Sequence, residues 1–333
     1  MMKAVLEHLI AGNNLTQEES RQTMVRIMSG EFDDAQIAGF LIALRYKGET
    51  AAEIAGFALA MREKMTPVPI RSDGIDLCGT GGDGKETFNI STAATFVAAG
   101  ADVKVAKHGN RSMTSKSGSA DVISALGVDI AMPPEKMAEC VDKIGVGFLF
   151  APSLHPAMKY AMGARKSLGV RTVFNILGPL CNPAGVRRQL IGIFDGALTE
   201  TIAQVLKILG AEEAFVVHGD DGMDEMTTTS TTRISHLTTD GKVKTVTLSP
   251  TDYGIEIARP EMLEGGVPEH NAAIIKNVLV GKKGPHRDIV VLNAAAAIRV
   301  SGKVDSIDEG IRMAEESIDS GAALRVLERL AKA

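Results

Sequence analysis

A short apolar strand that runs straight into a cluster of glycines and then into a helix start constrains this chain more than any other stretch. Residues 75–78 read as a buried strand, and Gly79, Gly81, Gly82 and Gly84 free the backbone behind it for a tight turn that side chains would obstruct. Thr87, Asn89, Ser91 and Thr92 follow, and the apolar run 93–99 continues as a helix. Such a junction aims unpaired backbone N–H groups and the positive end of a helix dipole at one point. That suits a phosphate or pyrophosphate.

Two better-known templates nearly fit and both fail. Residues 79–84 match G-x-G-x-x-G after a strand, but the dinucleotide fingerprint needs an acidic residue at the end of the second strand to hold a ribose hydroxyl. Here that strand, 103–107, ends in Lys107 and His108. Asp83 inside the loop would also face the anion. Residues 79–85 match G-x-x-x-x-G-K, but Glu86 stands where a P-loop needs a hydroxyl for Mg²⁺.

The rest of the chain supplies two lobes, as 333 residues imply. Residues 1–66 read as helices only. Thr16 with Glu19 and Thr50 with Glu53 form capping boxes, Asp33 caps the helix between them, and Pro67 and Pro69 mark the lobe boundary. From residue 75 strands are expected at 75–78, 103–107, 128–131, 146–150, 188–194 and 213–218, mostly separated by helices. The fold class is therefore α/β: a largely parallel sheet flanked by helices, with a smaller all-helical N-terminal lobe. Helical pattern from about 155 to 183 reads as a return to that lobe, leaving 67–154 and 184–333 as the α/β domain. Residues 232–248 read as two strands joined by a turn at Thr239, Asp240 and Gly241.

Ligands on such sheets bind outside the carboxyl ends of strands, which selects loops 79–92, 107–119 and 218–230. Loop 107–119 carries Lys107, Arg111 and Lys116 with five hydroxyls and two glycines, a set that can surround a phosphate or remain a solvated polar loop. Asp220, Asp221, Asp224 and Glu225 in the third loop would repel an anion unless a divalent ion intervened; opposite two phosphate loops they imply Mg²⁺. His155 and Arg165 are ten residues apart on a helical segment, nearly three turns, and so fall roughly on one face. An Arg at the lobe junction could take a carboxylate through two hydrogen bonds, or could be a surface residue.

Bulk properties exclude several classes. The net charge is −5, so any phosphate site is local rather than a general polyanion surface. Three scattered cysteines fit a reduced cytosolic protein. Glu7 and His8 inside the first apolar helix argue against a signal peptide, and no apolar run reaches the ~18 residues of a membrane span. The expectation is a soluble, cytoplasmic chain with no membrane partner. Aromatic residues make up 4% with no Trp, which argues against stacking platforms for single-stranded nucleic acid.

Taken together, GTGGD at 79–83, NIST at 89–92, KHGNRS at 107–112, SKSGS at 115–119, HPAM at 155–158, RTVFNILGPLCNP at 171–183 and DE at 224–225 fall in order along the chain. With them the chain resembles the anthranilate phosphoribosyltransferases of the tryptophan pathway, over essentially its whole length. The resemblance implies that Gly79, Gly82, Asp83, Thr87, Asn89, Ile90, Ser91 and Thr92, with Lys107 and Ser119, hold phosphoribosyl pyrophosphate. It implies Mg²⁺ on Ser91, Asp224 and Glu225. Asn110 and Arg165 would hold anthranilate, with Gly79, His108, His155 and Pro179 near its ring, and the helical lobe would form a homodimer. Two positions depart from the family pattern: Ser230 and Thr231 replace a usual Gly-Pro, and Met113 with Thr114 replaces Val-Ser.

The reaction so implied joins the anthranilate amine to the ribosyl carbon that carries pyrophosphate. No activated protein nucleophile is evident, so Lys107, His108 and Arg165 act by electrostatics and positioning. A pyrimidine nucleoside phosphorylase shares GTGGD and would need phosphate but no Mg²⁺; a non-catalytic nucleic-acid-binding relative of the fold is the third class. The negative charge and the intact acidic pair oppose the latter.

Overall fold

The computed structural model describes residues 2–111 and 116–333. The chain opens with helices α1 (Met2–Ile10), α2 (Gln17–Met28), α3 (Asp34–Lys47) and α4 (Ala51–Lys64). Each of the last three starts at a complete capping box, on Thr16 with Glu19, Asp33 with Gln36 and Thr50 with Glu53. Gly48, at φ 88°, ends α3. Glu53 does more than cap: fully buried, it accepts from the backbone N–H of Leu15 at 2.9 Å and from Lys47 Nζ at 2.9 Å.

The sheet then builds as β1 (Ile75–Gly79), β2 (Val105–Gly109), β3 (Val146–Phe150), β4 (Arg188–Gly192), β5 (Glu213–Gly219), β6 (Thr232–Leu237) and β7 (Val243–Leu248). Its order is β3-β2-β1-β4-β5-β6-β7, parallel through β5 and antiparallel for the last two. The chain therefore switches direction between β1 and β4, and there the carboxyl ends leave a crevice for a ligand. Gly79 and Gly192 are register partners at that end.

Helices α5 (Ile90–Gly100), α6 (Ser119–Ala125) and α7 (Pro134–Ile144) follow the first two strands. After β3 come α8 (Ala151–Leu154), α9 (Lys159–Leu168) and α10 (Phe174–Leu177); α11 (Thr199–Ile208) joins β4 to β5. The tail is α12 (Pro268–Leu279), α13 (Pro285–Val300), α14 (Ile307–Asp319) and α15 (Ala322–Leu330). One core lies between the sheet and α5, α13 and the tail helices. The other joins Ile191, Ile193 and Val216 of the opposite face to α11, to α2–α4 and to Ala161, Ala164, Phe174 and Leu177. The helical lobe thus shares its core with one face of the sheet, and α9 packs on α3 and α2.

Two expectations are corrected. Residues 128–131 are not a strand: Val128 closes α6 through its N–H to Ile123 O at 3.2 Å, and Asp129 Oδ1 takes the Ala131 N–H at 2.8 Å in a local turn. That turn and the prolines at 133 and 134 leave no length for a strand. The helix expected to carry His155 and Arg165 together is broken at His155, whose φ −120° and ψ 62° are non-helical. Pro156 explains the break, since the residue before a proline is pushed out of the helical region.

Candidate active site

Glycine makes the floor of the site because another chain segment lies where a side chain would go. A Cβ on Gly79 would sit 2.5 Å from Asp224 Oδ2, and one on Gly192 only 1.6 Å from the Asp224 carbonyl oxygen. The loop after β5 is therefore pressed onto the ends of β1 and β4. Asp224 Oδ2 accepts the Gly81 N–H at 2.7 Å, and its own N–H points to Asp83 Oδ2 at 3.4 Å. Glu225 Oε1 accepts the Ser91 N–H at 3.1 Å, at the first turn of α5. Gly81, Gly82 and Gly84 adopt φ of 63°, 72° and 73°, which only glycine adopts without strain.

Three carboxylates crowd this corner. Burial, then the charges of Asp83 and Glu225, hold the Asp224 carboxyl well above the usual range, and burial pushes Glu225 up to about 7 despite Lys107 and the Ser91 amide. The corner calls for positive charge. Lys107 supplies some of it: 2% exposed, its Nζ lies 2.5 Å from Leu77 O and 3.2 Å from Ser91 Oγ. Burial lowers its pKa, with Asp76 the largest opposing charge. Among the described residues no group of three His, Cys, Asp or Glu side chains is set to hold a metal. The pair Asp224 and Glu225 with the Ser91 hydroxyl nevertheless fits Mg²⁺, which commonly takes one or two carboxylates and draws its other ligands from phosphate and water.

A second cluster sits behind β2. His108 and His155 face each other with Nε2 to Nε2 at 3.2 Å, both nearly buried. Burial lowers His108 to about 3 and His155 to about 4, so the pair is neutral at pH 7. Asp76 lies beneath: fully buried, it takes the His108 N–H at 3.1 Å and the Asn182 amide at 2.8 Å. Pro179, buried in the turn Gly178–Leu180, is held by Gln189 Nε2 on its carbonyl at 2.9 Å.

The remaining expected residues divide. Asn110 and Ser119 are linked, the Ser119 Oγ meeting both the N–H and the carbonyl of Asn110 at 3.2 Å. Asn89 precedes α5 without capping it; its Oδ1 takes the Asn271 amide at 2.9 Å. Ile90 is buried, Thr92 is buried with its hydroxyl unpaired, and Thr87 bridges to Glu264. Gly82 gives its carbonyl to Arg171 Nη2. Arg165 stands apart, its guanidinium 5.2 Å over the Phe174 ring and partly desolvated. Ser112, Met113, Thr114 and Ser115 lie outside the described residues. Sequence reasoning missed Asp76, Asn271 and Arg171. Asp76 had a signal, an acid inside an apolar strand; Asn271, 182 residues from its partner, had none.

Comparison with known proteins agrees with this fold. Residues 71–324 match the glycosyl transferase family a/b domain, and residues 3–65 match the helical bundle domain of the same family. An anthranilate phosphoribosyltransferase of Acetivibrio thermocellus is 53% identical over 98% of this chain and 95% of its own length. The crystal structure of that enzyme from Thermus thermophilus superposes with a TM-score of 0.93 at 43% identity, covering 98% of both chains. The Saccharomyces cerevisiae enzyme, in complex with PRPP and Mg, gives 0.91 at 32% identity over 99% of this chain and 97% of its own. Matched along almost its whole length by the two domains of one glycosyl transferase family and by these full-length relatives, the chain belongs to the anthranilate phosphoribosyltransferase family.

Proposed function

We propose that this protein transfers the 5-phosphoribosyl group of phosphoribosyl pyrophosphate to the amine of anthranilate, releasing pyrophosphate and forming N-(5′-phosphoribosyl)anthranilate, a step of tryptophan biosynthesis. One observation carries the reading: the acidic pair Asp224 and Glu225 is seated on the Gly79 and Gly192 floor, against the amides of Gly81 and Ser91. Anion-binding amides and carboxylates make sense together where a metal-bound polyphosphate lies.

Gly79, Gly82, Asp83, Thr87 and residues 89–92 hold the donor, with Lys107 and Ser119. Asp224 and Glu225, with Ser91, would hold Mg²⁺, which when bound offsets charge building on the departing pyrophosphate. The C1′–O bond to pyrophosphate breaks as the amine nitrogen bonds to C1′, and the nitrogen then loses one proton. An aryl amine is neutral at pH 7 and needs no strong base before attack. Asn110 and Arg165 bind anthranilate, Arg165 through its carboxylate, with Gly79, His155 and Pro179 against the ring. Lys107 keeps Ser91 and the acidic pair in place, and its charge favours the leaving group over the neutral acceptor.

The test follows anthranilate fluorescence. Its loss on adding phosphoribosyl pyrophosphate is expected with Mg²⁺ and not with EDTA; turnover of thymidine with phosphate, and none of anthranilate, would make the chain a phosphorylase. The buried free cysteines Cys78, Cys140 and Cys181 support a reducing, cytoplasmic setting. Among the described residues no helix is long and apolar enough to cross a membrane. A homodimer through the helical lobe is supported by Ile10, Ile42 and Tyr46 on α1 and α3, of which Tyr46 is 94% exposed.

A further inference from the structure

The donor loop has no helix or strand of its own between the end of β1 and the start of α5, and it contains three glycines in left-handed conformation. Glycine confers that freedom at an entropic cost, so the loop needs outside contacts to hold one shape. Thr80 is fixed to the sheet, its N–H on Gly192 O at 2.9 Å and its hydroxyl accepting the Phe194 N–H at 3.0 Å. Beyond it, Gly81 is held by Asp224, the carboxylate assigned above to the metal. A cation that took Asp224 would compete for that oxygen. The far end of the loop is fixed by the bridge from Thr87 to Glu264 and by the Gly265 N–H on Glu86 O at 2.8 Å; at Gly82, within the glycine turn, the tether independent of the acidic corner is Arg171.

Its position is determined from three directions. The Arg171 carbonyl accepts from Arg45 Nη1 of α3 at 2.7 Å, and the next N–H, on Thr172, is held by Asn175 Oδ1 at 2.9 Å. The guanidinium lies over the Phe194 ring, 4.2 Å from its centroid, two residues past the end of β4. Nη2 donates to the Gly82 carbonyl. A trans peptide points its N–H away from its C=O. Holding the Gly82 oxygen therefore fixes the direction of the Asp83 N–H and keeps one carbonyl dipole off an incoming polyphosphate.

We propose that Arg171 is a positioning residue for the phosphoribosyl donor: it sets the glycine loop through the Gly82 carbonyl and ties that loop, through Arg45, to the helical lobe. The assignment deepens the transferase reading above and rests on loop 79–92 being the donor site. Arg171, on Gly82 O and the Phe194 ring, acts on the donor through the loop.

The experiment compares Arg171→Ala, Arg171→Met and Arg171→Lys with the parent by steady-state kinetics and by calorimetric titration of phosphoribosyl pyrophosphate in Mg²⁺. Met keeps an apolar stem over Phe194 and removes the donor group. Both Ala and Met are expected to raise the donor KM and Kd about tenfold, the size of one charge-assisted hydrogen bond, with the anthranilate KM within about twofold of the parent. Lys, which can still reach a carbonyl, is expected to recover part of the loss. Unchanged donor KM and Kd in both Ala and Met would overturn the proposal, as would a rise confined to anthranilate. So would a Lys variant no better than Met, since the effect would then be one of packing. A parent that consumes no anthranilate would sink the transferase reading itself, whereas an active parent matched by its variants would sink only the role of Arg171.

Discussion

At the scale of single residues, burial and charge assign the work. The double variant Asp224→Asn with Glu225→Gln is expected to lose at least ~10²-fold in rate, the size expected for electrostatic groups of this kind. Initial rates across a Mg²⁺ titration check it; parent-like turnover at limiting Mg²⁺ would remove both residues from the site. Arg165→Ala is expected chiefly to raise the KM for anthranilate, and a rise confined to the phosphoribosyl donor would reassign it. His108 and His155 carry a pH signature. Their folded values, about 3 and about 4, lie below the ordinary 6.5, so the unfolded chain binds protons first as pH falls. Their contribution to stability is complete above pH 6.5 and declines between 6.5 and about 3, by on the order of 1 kcal/mol per pH unit for each. Denaturant melts of His155→Gln between pH 7 and 5 should show a shallower loss than the parent; an equal slope would mean that His155 titrates normally. The acidic pair and the glycines were legible in the chain because their chemistry is local. The neutrality of the histidines was not, because it comes from residues 47 positions apart closing over each other.

Elements were legible where a few adjacent residues decide them. The three capping boxes needed only a hydroxyl or carboxylate and a Glu or Gln three positions on. Glu53 shows what that local view omits: it is also the buried partner of Lys47, whose side chain is 6% exposed. Glu53→Ala leaves that ammonium without its carboxylate, held only by Asn14 Oδ1 at 2.8 Å and Gly48 O at 2.7 Å, and is expected to lower unfolding free energy by about 3 kcal/mol, measured by chemical denaturation. A loss below about 1 kcal/mol would show that water reaches Lys47 in the native state. The end of β4 makes a sharper case. Gly192→Ala asks for a carbon 1.6 Å from the Asp224 carbonyl oxygen, so the acidic loop must move. A rate loss of at least ~10²-fold is expected, since a displacement near 1 Å at a site costs about that much. Activity close to the parent would mean that the loop position is not used. Residues 128–131 misled for the opposite reason: four apolar-rich positions fit a strand or a turn equally, and only Asp129 and the prolines beyond break the tie.

For the whole molecule, the helical lobe is bound to the rest by a shared core rather than by a linker alone, since α4 packs on α11 and the cluster runs into the sheet. What it leaves outside is a face with Ile42 and Tyr46, 41% and 94% exposed. Ile42→Glu with Tyr46→Glu is expected to shift the proposed dimer to monomer in analytical ultracentrifugation, with circular dichroism unchanged. A dimer of parent affinity would place the interface elsewhere. By itself the amino-acid sequence determined the fold class, the strand carrying the glycine loop and the helix starts, because periodicity, capping and glycine content act over a few neighbouring residues. Only the tertiary structure decided that β4 lies beside β1, that Asp224 rests on two glycines, that two histidines are neutral, and that Arg171 reaches the donor loop. Each of those depends on packing between distant segments, where burial and close approach fix charge and position, and no short window of residues contains that information.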